Sequence, residues 1–168
     1  GEGWYRKNFT LEKEDQGKQI LLYFEGVYNQ SEVWVNGHKA SFNPYGYTSY
    51  RVDITPYCHA AGIANVIAVK VVNVGQNSRW YSGSGIFRHV WLIKTAQLHL
   101  DEWDTFVDAS ELKGKDAVVK FSTTVHNQQS KRGSAELLIK ILSPDGNLLY
   151  SSINAVELTD ETIFTKSF

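Results

Sequence analysis

The residues of this chain with the clearest chemical potential lie in one stretch, "NSRWYSGSGIFRHVWLI", residues 77–93. Asn77 and Arg79 flank Trp80 and Tyr81, so hydrogen-bonding side chains stand beside flat rings that can stack on a sugar face. The same aromatics read equally well as packing at an internal interface of a β-rich domain. The glycines that follow do not make a phosphate cradle, which needs a third glycine and a helix N-terminus. Position 88 is Arg, and a strand-like run follows. They do not make a nucleophile elbow either, because Gly83-Ser84-Gly85 stands where Gly-x-Ser-x-Gly is required. Turn glycines are the reading kept.

Other groups that can do chemistry are dispersed. The five histidines, His38, His59, His89, His99 and His126, show no i, i+4 pair and no acidic partner at ligand spacing, so no metal site is expected. His89 alternates with Phe87 and Trp91 and is read as a satisfied histidine at an internal interface. Glycoside hydrolysis needs two carboxylates across a cleft. Here Glu12, Glu14 and Asp15, then Asp101, Glu102 and Asp104, then Asp160 and Glu161 all read as solvated surface, and no catalytic residue is assigned. Asn43 precedes the loop aromatics Tyr45 and Tyr47, whereas Trp34 and Trp91 lie inside strand-like runs and are expected to pack in a core.

Composition narrows the partners. With 17 basic and 18 acidic residues, scattered along the chain, there is no electrostatic footprint for nucleic acid or an anionic membrane. No apolar run has the length of a membrane helix, and "GEGWYRKNF" has no signal pattern, so the compartment stays open. The lone Cys58 forms no internal disulfide. No cofactor is expected.

The elements that must position these residues are strands, because period-two alternation dominates and helical periodicity is nearly absent. Ile20, Leu22 and Phe24 point one way and Leu21, Tyr23 and Glu25 the other. Val33-Trp34-Val35 runs into Asn36-Gly37, which predicts a two-residue type I′ hairpin. Tyr50, Val52 and Ile54 share a face until Pro56 stops the strand, and Ile67, Val69 and Val71 share another. "FRHVWLIK" is apolar on both faces, so a strand is expected from Ile86 on, covered on both sides. The character changes after Lys94. We place a boundary near Ala96, giving domains 1–96 and 97–168, and "TAQLHLDEWDTFVDASELKGKD" reads as the crossing between them. Beyond it Val119, Phe121, Thr123 and Val125 alternate, as do Leu137, Ile139 and Ile141. "SPDG" supplies a turn. About five strands are expected there, fewer than the roughly seven of an immunoglobulin-like sandwich.

Taken in order, "GWYRKNF", "LYFEGVYNQSEVWVNGHKA", "PYGYTSYRVDITPY", "NVIAVKVVN" and "SRWYSGSGIFRHVWLI" resemble the N-terminal region of glycoside hydrolase family 2, most like its bacterial β-galactosidase type, through residues 3–94. The resemblance implies an all-β chain: a jelly-roll sugar-binding sandwich, then an incomplete immunoglobulin-like sandwich, with a catalytic TIM barrel elsewhere in the same polypeptide as partner. The family's two catalytic glutamates do not carry over, since the chain has no Asn-Glu dipeptide and is too short for a barrel. In relatives the loop equivalent to 77–85 reaches toward the active site, and an acid there can contact the sugar. Here Ser78 or Arg79 stands in that place. The implied role is a non-catalytic front portion that braces the barrel, with Asn77, Arg79, Trp80 and Tyr81 as a possible pocket wall toward a carbohydrate substrate. The alternatives are an independent carbohydrate-binding module and a structural or adhesive tandem sandwich.

Overall fold

Alternating side chains become antiparallel ladders throughout the structure, a computed structural model that describes residues 1–75, 83–101, 103–114, 116–129 and 132–168. The chain divides into two compact units, Gly1–Ala96 and Gln97–Phe168.

In the first unit the strands are β1 (Glu2–Thr10), β2 (Gln19–Phe24), β3 (Val27–Tyr28), β4 (Ser31–Val35), β5 (His38–Asn43), β6 (Tyr50–Asp53), β7 (Ala64–Val72), β8 (Gly85–Ile86) and β9 (Val90–Thr95). One sheet has the order β1-β7-β4-β5, a second the order β6-β2-β9, and β3 pairs with β8. The core lies where the inward faces meet: Ile20, Leu22 and Phe24 from β2, Val33 and Val35 from β4, Val69 and Val71 from β7, with Val52 and Ile54. The alternation assigned the β2 and β7 residues and Val52 and Ile54 to shared faces, but in β4 it is Val33 and Val35 that face the core, and Trp34, expected there, stands half-buried on the opposite face. The Asn36-Gly37 turn joins β4 to β5 with φ of 50° and 85°, the left-handed values a type I′ turn requires.

Several expectations for this unit are corrected. Asp15 is not solvated surface. Its carboxylate is buried at 6% exposure, ion-paired to Lys94, bonded to Lys18 at 3.2 Å, and accepts the backbone N–H of Glu12 at 3.0 Å. The apolar run from Ile86 is also not one covered strand. β8 pairs with β3 and β9 with β2, and Phe87–His89 spans the change of partner, where the Phe87 ring packs so closely on Gly26 that a Cβ there would come within 2.5 Å of it. As the edge of its sheet, β9 leaves Trp91 half-exposed at 50%, with Val90 and Leu92 also open. His89 is exposed rather than interior.

The Asp15 cluster makes stability depend on acid. The Lys94 ammonium first, then the Glu12 N–H and Lys18, hold the Asp15 carboxyl down to about 2. A depressed folded-state value means that the contribution is complete above the ordinary aspartate range and lost as pH falls through about 4 toward 2. Urea midpoints measured across that window are expected to fall more steeply for the parent chain than for Asp15→Asn, which is less stable at neutral pH and flatter in acid.

In the second unit the strands are β10 (Leu98–Leu100), β11 (Phe106–Lys113), β12 (Asp116–Asn127), β13 (Gly133–Leu142), β14 (Leu148–Leu158) and β15 (Glu161–Ser167). β12 pairs with β10, β11 and β15, while β13 and β14 form a separate hairpin. The turn read from "SPDG" is present: Ser143 N–H donates to Asn147 O at 2.9 Å, and Gly146 sits at φ 83°. Val125, Val156 and Leu158 are the buried core, with Leu98, Leu137 and Phe164 against it. The described residues carry six strands here, not five, because the expected crossing contains β10 and β11. A register shift between Asp108 and Glu111 interrupts the alternation by which β11 would have been recognised.

Candidate functional site

The expected site residues Asn77, Arg79, Trp80 and Tyr81 lie outside the described residues, as does Ser78. The structure does describe the two ends from which that segment springs. On the N-terminal side β7 closes its ladder with Glu2 opposite Val72, and Asn73 Nδ2 donates to Ser84 Oγ at 2.6 Å across the base. On the C-terminal side Gly85 is fixed opposite Tyr28 by the β3–β8 pairing. Gly85 has φ of 118°, and a Cβ there would meet the Tyr5 hydroxyl at 2.1 Å, so both backbone and space require glycine. The hydroxyl in turn accepts the Ile86 N–H at 3.4 Å.

Beside these anchors stands a tyrosine cluster. The Tyr28 ring lies 5.2 Å from Tyr47, and Tyr47 lies 5.8 Å from Tyr45 in an edge-on arrangement. Tyr28 is buried, while Tyr45 and Tyr47 are more than half exposed. Asn43 shapes their loop by accepting the Tyr45 N–H at 3.3 Å and donating to the Tyr45 carbonyl at 3.0 Å. Gly46 passes so close to the Tyr28 ring that a Cβ would lie 2.3 Å from it. The sequence placed Tyr45 and Tyr47 correctly in a loop, and Asn43, the last residue of β5, just before them. It carried no signal for Tyr28, which looks like any strand tyrosine.

A second group was not foreseen. Glu25 accepts from Trp91 Nε1 at 2.7 Å and pairs with His89 Nδ1 at 3.1 Å, while its own N–H donates to the His89 carbonyl at 3.1 Å. The Trp91 N–H and then His89 hold the Glu25 carboxyl below its ordinary value. Because 64 residues separate Glu25 from His89, only the β2–β9 pairing reveals the contact.

In the second unit His126 joins Asp101 and Asp104, which are neighbours in sequence, and the three offer atoms within 4.8 Å of one another. His126 Nε2 pairs with Asp104 at 3.0 Å, its Nδ1 lies 3.7 Å from Glu161, and His99 stacks on its ring at 5.4 Å. The grouping is a histidine near the end of β12 whose ring is hydrogen-bonded to Asp104.

Chemically, the first unit offers rings and hydrogen-bonding groups rather than proton transfer. A glycosidase acid needs its pKa raised. Among the described residues the displaced carboxyls Glu2, Asp15, Glu25 and Glu32 are all lowered by the donors around them. An all-β, antiparallel chain with exposed aromatics at a loop edge, in which the displaced carboxyls among the described residues are tied to nearby donors, defines a β-sandwich module.

Comparison with known proteins agrees. Residues 1–96 match the family described as "Glycosyl hydrolases family 2, sugar binding domain". The chain is 40% identical to the β-galactosidase BoGH2A of Bacteroides ovatus over 99% of its own length and 20% of that protein's. It is 30% identical to a β-glucuronidase of Formosa agariphila over 90% of this chain and 18% of that one. Among solved structures, a glycosyl hydrolase family 2 member from Bacteroides cellulosilyticus superposes with a TM-score of 0.92 at 35% identity, covering 99% of this chain and 23% of that one. The Bacteroides uniformis β-glucuronidase gives 0.87 at 27% identity, with coverage of 100% and 21%. The chain belongs to glycoside hydrolase family 2. It spans about a fifth of the length of the relatives it matches.

Proposed function

We propose that this chain is the non-catalytic front portion of a retaining family 2 β-glycosidase of the β-galactosidase type. Residues 1–96 serve as the jelly-roll sandwich and residues 97–168 as the immunoglobulin-like unit after it, together bracing a catalytic barrel of the same polypeptide. The observation that carries the reading is the 40% identity to a β-galactosidase along 99% of this chain but only 20% of that enzyme. The lowered acidity of the displaced carboxyls supports the division of labour, since none of them is poised to protonate a leaving group.

Asn77, Arg79, Trp80 and Tyr81 enter this proposal as one wall of the substrate pocket. Their test is kinetic and belongs to the full polypeptide. Arg79→Ala and Trp80→Ala are expected to raise KM for a β-galactoside severalfold and to leave the fold intact by circular dichroism. The chain alone is expected to release nothing from a chromogenic β-galactoside. Release by the chain that disappears on mutating one of its own carboxylates would overturn the reading. Cleavage by the full polypeptide of a β-glucuronide in place of the galactoside would reassign its substrate.

A further inference from the structure

The outward face of the β1-β7-β4-β5 sheet is built unlike an ordinary solvated surface. Val69 and Val71 of β7 point into the core, so Ala68 and Lys70 point out. The register sets Arg6 and Trp34 on either side of Ala68, and Trp4 and Glu32 on either side of Lys70. Two tryptophans therefore stand on the flanking strands with the small Ala68 side chain between them. From strand spacing and rise, their positions are roughly 12 Å apart. The depression between them has a volume of about 380 Å³ and is lined by Trp4, Trp34, Ala68, Gly37, Arg6 and Asn8.

Both indoles are held in place. Trp4 Nε1 donates to Glu2 Oε1 at 3.0 Å, and the other Glu2 oxygen pairs with Lys70 at 3.0 Å, whose ammonium lies 5.8 Å from the Trp4 ring centre. Trp34 Nε1 donates to Glu32 at 3.3 Å, and Glu32 pairs with Lys39 at 2.7 Å. Trp4 is 54% exposed. Fixing both rings before a ligand arrives removes part of the ordering cost of binding. The side chains of Arg6 and Asn8, exposed in the same depression, have no hydrogen-bond or ion-pair partner among the described residues, and Arg6 is its uncompensated cation.

We propose that this face is a second carbohydrate site, distinct from the 77–81 loop, which takes an oligosaccharide bearing a carboxylate sugar. The C–H faces of two sugar units stack on Trp4 and Trp34, and the carboxylate of a unit above Ala68 is met by the Arg6 guanidinium, with Asn8 bonding a hydroxyl. The span between the rings calls for a short chain rather than one monosaccharide. Charge complementarity selects the acidic chain over a neutral one, because Glu2 and Glu32 are already committed to Lys70 and Lys39 and only Arg6 is left to be satisfied. The inference stands on this sheet face and does not depend on the proposed role beside a barrel.

The test uses the indole N–H signals of the five tryptophans in the full chain. A β-linked glucuronate-containing trisaccharide and its neutral glucose counterpart are titrated to millimolar concentration. The acidic chain is expected to shift the Trp4 and Trp34 signals, and the neutral one to bind severalfold more weakly at low salt. Trp4→Ala and Trp34→Ala are each expected to weaken binding about tenfold. Arg6→Ala should abolish the acidic preference, and Ala68→Leu, which fills the depression without touching either ring's carboxylate, should block binding. Silence of both signals, a shift confined to Trp80, equal affinity for the two sugars, or a Trp4-dependent dimer by sedimentation would each overturn the proposal.

Discussion

Phe24→Ala is expected to cost the first unit about 3–5 kcal/mol, the range for deleting a buried aromatic ring. Phe24 is 1% exposed, lies on the central strand of its sheet between Tyr50 and Val90, and stacks on the Tyr50 ring at 4.9 Å with an interplanar angle of 12°. The Tyr50 hydroxyl is held by Ser31 at 2.9 Å, so that ring is not free to collapse into the space left behind. A domain is stable by only about 5–15 kcal/mol, and the loss is therefore a large part of the total. Urea unfolding followed by circular dichroism measures it, with Phe42→Ala as the comparison. Phe42 is 54% exposed on the outer face of β5, and its removal is expected to cost no more than about 1 kcal/mol. Equal costs for the two variants would show that the sheets do not pack as described.

Asn65→Ala is expected to cost about 2–4 kcal/mol through a different mechanism, the stranding of buried polar groups. Asn65 is fully buried. Its Oδ1 accepts from Asn36 Nδ2 at 2.8 Å and from the His59 N–H at 2.7 Å, and its Nδ2 donates to Ile63 O at 3.3 Å. Asn36 continues the network, accepting the Val66 N–H at 2.9 Å and donating to Tyr57 O at 2.8 Å. The tip of the β4–β5 hairpin, the 57–63 loop and the start of β7 are thereby tied together. Alanine at 65 leaves the Asn36 amide and the His59 N–H each without the acceptor that this buried side chain supplies. A double-mutant cycle with Asn36→Ala is expected to show coupling of about 1 kcal/mol or more. The cycle cancels the separate loss of turn preference at position 36. Simple additivity would mean that the two amides act independently.

Much of this protein was legible before its fold was known, and the readable parts share a cause. Ile20, Leu22 and Phe24, then Val69 and Val71, then Leu137 and Ile139 sit inward because a strand has period two, and no distant residue is needed to see it. Asn36-Gly37 announced its hairpin for the same local reason. The misreadings also share a cause. Asp15 reads as one more surface acid until the strand bearing Lys94 is laid beside it. The run after Ile86 reads as one covered strand until its two halves are seen to pair with different partners, one of them at a sheet edge that leaves Trp91 half-exposed. β11 was hidden by a register shift, which removes the alternation that defines a strand in sequence.

The candidate sites divide along the same line. Tyr45 and Tyr47, with Asn43 just before them, are close in sequence and were recognisable as a group at a loop. The Glu25, His89 and Trp91 contact and the platform formed by Trp4, Ala68 and Trp34 were not, since each depends on which strands are neighbours and in what register. By itself, the sequence determined the regularly alternating strands, the inward faces of β2, β7 and β13, and the family, all of which follow from short-range periodicity and ordered motifs. Only the tertiary structure decided which carboxylate would meet which cation and which two tryptophans would share a face, because strand order and register are settled by the packing of the whole sandwich rather than by any one segment.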